Sequence, residues 1–202
     1  MISKIESLES NKIDTPNTTF DFDKRIPPMD KSHNMEKDSL GFNADKRIDK
    51  GEIFENPFSL EECLRFFDED IFSSLSIEEK AFVCDLLCDA MAEKLGIYDK
   101  PVVGFFEDQN RGNCGGYNAE ANVIGINVYN IDDGDSIKDT IIHEMRHCWQ
   151  HIRASLPLDY QNDEDLIFKQ NFENYINPED NYRAYLSQPV EMDARAFAEA
   201  FR

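Results

Sequence analysis

His143-Glu144-Met145-Arg146-His147 sets two imidazoles four residues apart, with a carboxylate between them. On an α-helix, residues i and i+4 lie on one face, one turn apart. Two imidazoles so placed can bind one Zn²⁺, and the intervening glutamate reaches a water carried by that ion. This is the ligand-and-base arrangement of a zinc hydrolase. The chain has only four histidines, which makes the pairing informative. The plain alternative is a surface helix with two unrelated histidines.

The flanking residues predict the helix that such a pair needs. It runs from Ser136 to about Arg153, with Asp135 or Ser136 as N-cap. Ile137, Ile141, Met145, Cys148, Trp149 and Ile152 follow the 3,4 spacing of a buried face. His143 and His147 fall beside that stripe, where a cleft wall would lie.

A catalytic zinc usually takes three protein ligands and leaves one position open. His33 sits in a polar N-terminal stretch. His151 continues the series but lies two turns from His143, about 12 Å along the axis, too far to share one ion with both. A second-shell, substrate-facing or plain surface role suits it better. Carboxylates of the last helix, Glu191 and Asp193, are better placed. Glu191 also admits a structural reading, as an exposed helix carboxylate paired with Arg195 at i, i+4.

The bulk properties narrow the partners. Against 21 Lys and Arg stand 41 Asp and Glu, a formal net charge of −20. Phosphates would be repelled, so neither nucleic acid nor an anionic membrane surface is an expected partner. Acidity of this degree serves solubility, and weakly favours basic or neutral peptide segments. An apolar share of 41%, including 15 Phe and 7 Tyr, is enough for one core. Cys63, Cys84, Cys88, Cys114 and Cys148 are odd in number and form no CxxC pair. That argues against a disulfide framework and for a reducing, cytoplasmic setting. The N-terminus does not read as a signal peptide, and no stretch is apolar enough to span a membrane. Export as an effector without a cleavable signal is also compatible with the sequence.

Residues 1–56 read as a flexible polar leader that cannot bury enough surface to offset its ordering entropy. Residues 57–202 read as one folded domain. Ser59-Leu60-Glu61-Glu62 is a capping box opening a helix to about Asp68, and Ser76-Ile77-Glu78-Glu79 is a second. The helix behind it carries Ile77, Ala81, Cys84, Cys88, Met91 and Leu95 on one stripe and stops at Gly96. Val102–Phe106 predicts a strand, and Cys114–Asn118 with Val123–Val128 a hairpin turning at Ala119–Asn122. A helix is expected from about Glu164 to Tyr175, broken by Asn177-Pro178. Pro189 opens the last helix, with Val190, Ala194, Phe197 and Phe201 on its buried face.

Glu191 begins the segment Glu191-Met192-Asp193-Ala194-Arg195-Ala196-Phe197-Ala198, of the form ExxAxxFA. HExxH followed by this segment resembles the gluzincin-type zinc metallopeptidases, and most nearly their minimal intracellular ImmA/IrrE-like set. The hairpin Gly115-Gly116-Tyr117 through Ile124-Gly125-Ile126-Asn127 is similar to the zincin strand that flanks the active-site helix and pairs with an extended peptide. The resemblance covers roughly residues 102–202. It implies an α+β, zincin-like fold, with a small mixed or antiparallel sheet packed on the HExxH helix and further helices around it. It implies Zn²⁺ held by His143, His147 and Glu191, with Asp193 as the competing third ligand. Glu144 becomes the general base, and Tyr185 or Tyr182 a donor to the oxyanion. The substrate becomes a protein or peptide, paired near Ile124 to Val128. The segment between His147 and Glu191 is long for the smallest members. No third histidine of the metzincin kind follows, and no ExxxD of the thermolysin kind.

Two other readings compete. Peptide deformylase chemistry uses HExxH with an upstream cysteine, and only Cys114 in Asn113-Cys114-Gly115-Gly116 could serve. A non-catalytic binding module would keep the fold without turnover, but it would have no need of Glu144.

Overall fold

A computed structural model describes residues 57–202. The polar leader and His33 lie outside the described residues. Helix α1 (Leu60–Arg65) and helix α3 (Ile77–Leu95), separated by the short α2 (Glu69–Phe72), each open on the expected capping box. In α3 the Ser76 hydroxyl accepts from Glu79 N at 3.3 Å, and the Glu79 carboxylate accepts from Ser76 N at 2.8 Å. Gly96 closes α3 at φ 70°, a left-handed cap open to glycine. α1 ends three residues earlier than expected, because Phe66 and Phe67 turn the chain toward α2. Ile77, expected on the buried stripe, is exposed at the first turn.

The chain then builds a three-stranded sheet from β1 (Val102–Phe106), β2 (Gly115–Asn118) and β3 (Val123–Asn127), in the order β1-β3-β2. β1 runs parallel to β3 and β2 antiparallel to it. The sheet is therefore mixed, and the chain is α+β. One expectation is corrected here. Residues Ile124 to Val128 were read as an open edge for peptide pairing, but β3 is central and hydrogen-bonded on both sides. The parallel return of the chain puts β1 on its far side, so the edge beside the histidine helix is β2. Val128 also leaves the strand. The Asn127 carboxamide accepts from Tyr129 N at 3.2 Å and turns the chain into a short 3₁₀ segment, Val128–Asn130. The same side chain donates to Asp108 O and Asn113 O, both at 2.8 Å, and so pins the loop between β1 and β2.

Helix α4 (Gly134–Ala154) carries both histidines. Its N-cap is Asp133 rather than Asp135 or Ser136, and Asp133 accepts from Ser136 N at 2.9 Å. Ile137, Ile141, Met145 and Cys148 are buried as their spacing predicts, with Leu86, Leu87, Met91, Ile124 and Ile126 in the same cluster. Each such large side chain contributes about 1.5–3 kcal/mol on burial. Trp149 is half-buried, and Ile152 is exposed because α4 runs past the sheet there. Among the described residues, no helix is long and apolar enough to cross a membrane.

Helix α5 (Asp163–Glu173) packs on α4. α5 ends at Glu173, capped by Asn174, so Asn177-Pro178 does not break it; the pair instead starts a further helix, α6 (Pro178–Leu186), interrupted at Asn181. Proline at the first helical position costs no hydrogen bond, so it can open a helix. Helix α7 (Pro189–Glu199) follows and lies across α4, burying Val190, Ala194 and Ala198.

Gly115 permits the close seating of β2 on α4. A Cβ there would stand 2.4 Å from Gly125 O and 2.7 Å from the Thr140 methyl, whereas one at Gly116 would meet nothing within 4 Å. Gly115→Ala is expected to destabilise the fold by about 1–3 kcal/mol in urea unfolding. Gly116→Ala should leave the midpoint nearly unchanged. Equal effects would contradict this account of the strand's position.

Candidate metal centre

α4 projects His143 and His147 from adjacent turns. Their rings meet edge to face at 84°, with centroids 4.7 Å apart and Nε2 atoms 3.0 Å apart. α7 brings Glu191 to them from its first turn, where the helix dipole favours negative charge. Glu191 is 1% exposed. Its Oε1 lies 3.3 Å from His147 Nε2, and its Oε2 3.5 Å from His143 Nε2. One ligand atom from each of the three residues falls within 4.8 Å of the others. The spacing of HExxH and the ExxA segment is thus resolved into one compact donor set.

Charge and hydrogen bonding couple the members of this set. Burial pushes the Glu191 carboxyl up, but hydrogen bonds from His143, His147 and Tyr175 outweigh it and hold the carboxyl well below its ordinary range. Burial pushes His147 down, and the Glu191 hydrogen bond together with the charge of Glu144 raises it above its usual value. A neutral His147 would face its Nε2 lone pair toward a carboxylate oxygen, two acceptors in contact. A proton or a metal ion between them removes the conflict. Glu191 Oε2 is buried with no hydrogen-bond partner. Two imidazoles and one carboxylate are a donor set that could hold a metal ion.

Asp193, the competing ligand, points elsewhere. It takes the Arg146 guanidinium as a fork at 2.7 and 3.0 Å and accepts from Gln150 Nε2 at 2.7 Å. Two residues on from Glu191, it faces a different side of α7. Arg195 does pair with Glu191, its Nη1 3.6 Å from Oε2, but the carboxylate is buried rather than exposed. Cys114 lies against Ser136 Oγ at 3.7 Å and is not part of the cluster. None of the five cysteines, all among the described residues, is joined in a disulfide. Burial pushes the Cys88 thiol up to about 12, which keeps it inert.

Glu144 follows His143 on α4 and is 8% exposed, more buried than the cleft-mouth position expected of it. Its charge is felt by His147, Tyr175 and Tyr185. Of the two tyrosines proposed from sequence, Tyr182 is 64% exposed and stacks on Tyr185 with centroids 6.1 Å apart. Tyr185 stands at the site, where burial and Glu191 push its phenol up. Tyr175 was not singled out by the sequence, yet its hydroxyl donates to Glu191 Oε1 at 2.6 Å. It sits just past α5, where no periodicity marks it. What fixes it is Gln188, whose carboxamide accepts from Ile176 N at 2.7 Å and donates to Ile176 O at 2.9 Å.

His151 is set apart from the cluster. It stacks on Phe172 with centroids 3.7 Å apart and lies against Tyr117. It also lines a groove of about 390 Å³ between β2 and the end of α4, with Tyr117, Ala119, Ile152, Leu156 and Pro157.

Compared with protein-family models, with curated proteins and with solved structures, the chain matches none.

Burial, with the neighbouring His147 charge, lowers the His151 imidazole from 6.5 to about 4. The unfolded chain therefore binds a proton that the folded chain refuses between those values. Stability should fall as pH drops through this window. His151→Phe keeps the ring contact and should flatten that fall in urea titrations at several pH values. Parallel profiles for the two proteins would contradict it.

Proposed function

We propose that this protein is a zinc-dependent metallopeptidase of zincin-like fold, with His143, His147 and Glu191 as metal ligands. The observation that carries the reading is the convergence of a buried, otherwise unexplained carboxylate on the two HExxH imidazoles. Asp165, the other fully buried carboxylate among the described residues, meets an arginine fork and a helix cap and no imidazole.

Zn²⁺ held there supplies Lewis acidity, acidifying a water and polarising a substrate carbonyl. The protein's residues supply the rest. Glu144 takes the proton of the attacking water and passes it to the amide nitrogen as the C–N bond breaks. Its burial beside the imidazoles keeps the transfer out of bulk solvent. Tyr185, at the site beside Glu191, is the donor for the developing oxyanion. No covalent enzyme intermediate is required. The substrate is an extended protein or peptide segment along β2, the strand edge beside α4. The groove at His151 continues that line and offers an apolar wall to a side chain. Acidity of the chain favours basic or neutral segments and makes nucleic acid and anionic membranes poor partners. Thiols in place of disulfides suit the cytoplasm.

The test combines metal analysis with a peptide-library digest. Wild type and Glu144→Gln should each hold one zinc per chain, and Glu191→Ala should lose it far more than Asp193→Ala. Wild type should cleave, and the digest should stop with a chelator. Glu144→Gln should lose about 10²–10⁴ in rate, because the amide cannot accept the proton. Equal cleavage by both proteins would contradict the assignment. Zinc binding without cleavage by either would favour a binding module.

A further inference from the structure

Gln150 is the one fully buried carboxamide on the histidine helix, at 0% exposure. It lies three residues beyond His147, and every polar atom it has is engaged. Its Nε2 donates to Val190 O at 3.0 Å and to Asp193 Oδ2 at 2.7 Å. Both partners belong to α7 and both are acceptors only. Asp193 also takes the Arg146 guanidinium as a fork. That guanidinium is itself clamped, 3.9 Å over the Trp149 ring and 4.9 Å from that of Phe197.

These contacts settle the orientation of the amide. Turning it over would set its oxygen against a carbonyl and a carboxylate and lose both hydrogen bonds to α7. Oε1 therefore faces His147 Nδ1, 2.7 Å away. An amide oxygen can only accept, so Nδ1 must carry the hydrogen. A neutral imidazole protonated on Nδ1 presents a lone pair on Nε2, and Nε2 is the atom turned to His143 and Glu191.

We propose that Gln150 is a positioning residue that locks His147 in the Nδ1-protonated tautomer and ties it to the helix bearing Glu191. The inference rests on the reading of His147 as a metal ligand. It adds that the ligating form is set by the protein before any ion arrives. Metal-binding histidines usually give their second N–H to a carboxylate, carbonyl or water. Here a carboxamide takes that place and spans two helices. A carboxylate at position 150 could hold the histidine but would repel Val190 O and Asp193. Only an amide serves both sides. The signal in the sequence is faint: a glutamine at i+3 from the second histidine, on a stretch otherwise apolar or basic.

The test is the tautomer itself, read in the apo full-length protein by long-range ¹H–¹⁵N correlation of the His147 ring at mildly alkaline pH. The wild type should show a protonated Nδ1. A neutral His147 that carries its hydrogen on Nε2 and leaves Nδ1 bare would overturn the proposal whatever any variant does. Gln150→Met keeps the volume and removes the acceptor. It should show mixed tautomers and bind zinc about 10- to 100-fold more weakly in competition with a chromophoric chelator. A folded Gln150→Met with wild-type ring signals and wild-type affinity would also overturn it. If the wild type binds no zinc, the metal reading fails, and the apo ring signals still decide the role of Gln150.

Discussion

A carboxylate that is almost wholly buried is the constraint around which this domain is arranged. Removing such a group from water costs several kcal/mol unless charge and hydrogen bonds replace what water gave. Glu191 meets that cost with two imidazoles, one phenol and the N-terminal end of its own helix. Each partner must be delivered from a different element, and this explains much of the packing. α4 supplies the imidazoles on successive turns. The segment after α5 supplies Tyr175, tethered by Gln188. α7 must approach α4 closely, and the small Ala194 and Ala198 on its buried face let it do so.

The same helix serves core and site because its faces are separated by the helical period. Ile137, Ile141 and Met145 look into the apolar cluster shared with α3 and β3. His143, Glu144 and His147 sit to one side of that stripe, backed by buried side chains that restrict their rotamers. The polar contacts between α4 and α7, through Arg146, Gln150 and Asp193, lie beside the donor set. They fix the relative register of the two helices that must both contribute to it. β2 is drawn onto α4 at Gly115, so the sheet edge and the histidines share one side of the domain. Rigidity of this kind is what a metal site needs, since ligands misplaced by an ångström lose affinity sharply.

Much of this arrangement was legible in the residues. The HExxH spacing, the capping boxes at Ser59 and Ser76, the stop at Gly96 and the opening at Pro189 depend on local rules, and each acts where the rule places it. Glu191 was separable from Asp193 only by motif. The structure separates them by direction around α7. Features set by long-range contacts were not legible. The central place of β3 follows from a parallel crossover that strand periodicity cannot report. α6 begins at a proline that reads equally as a break. Tyr175 and Gln150 reach the site through partners distant in sequence, and neither stands in a pattern. Glu144 is buried, with Tyr175 and Tyr185 near enough to feel its charge, which its own helix does not foretell.

The central claim, that His143, His147 and Glu191 form one zinc site, is tested most directly by X-ray absorption at the zinc edge of the loaded protein. The account predicts a four-coordinate ion with two imidazole nitrogens at about 2.0–2.1 Å, oxygen donors at about 2.0–2.2 Å and no sulfur. Glu191→Ala should change the oxygen shell while the imidazole scattering persists. A sulfur shell near about 2.3 Å, or a spectrum without imidazole scattering, would contradict it.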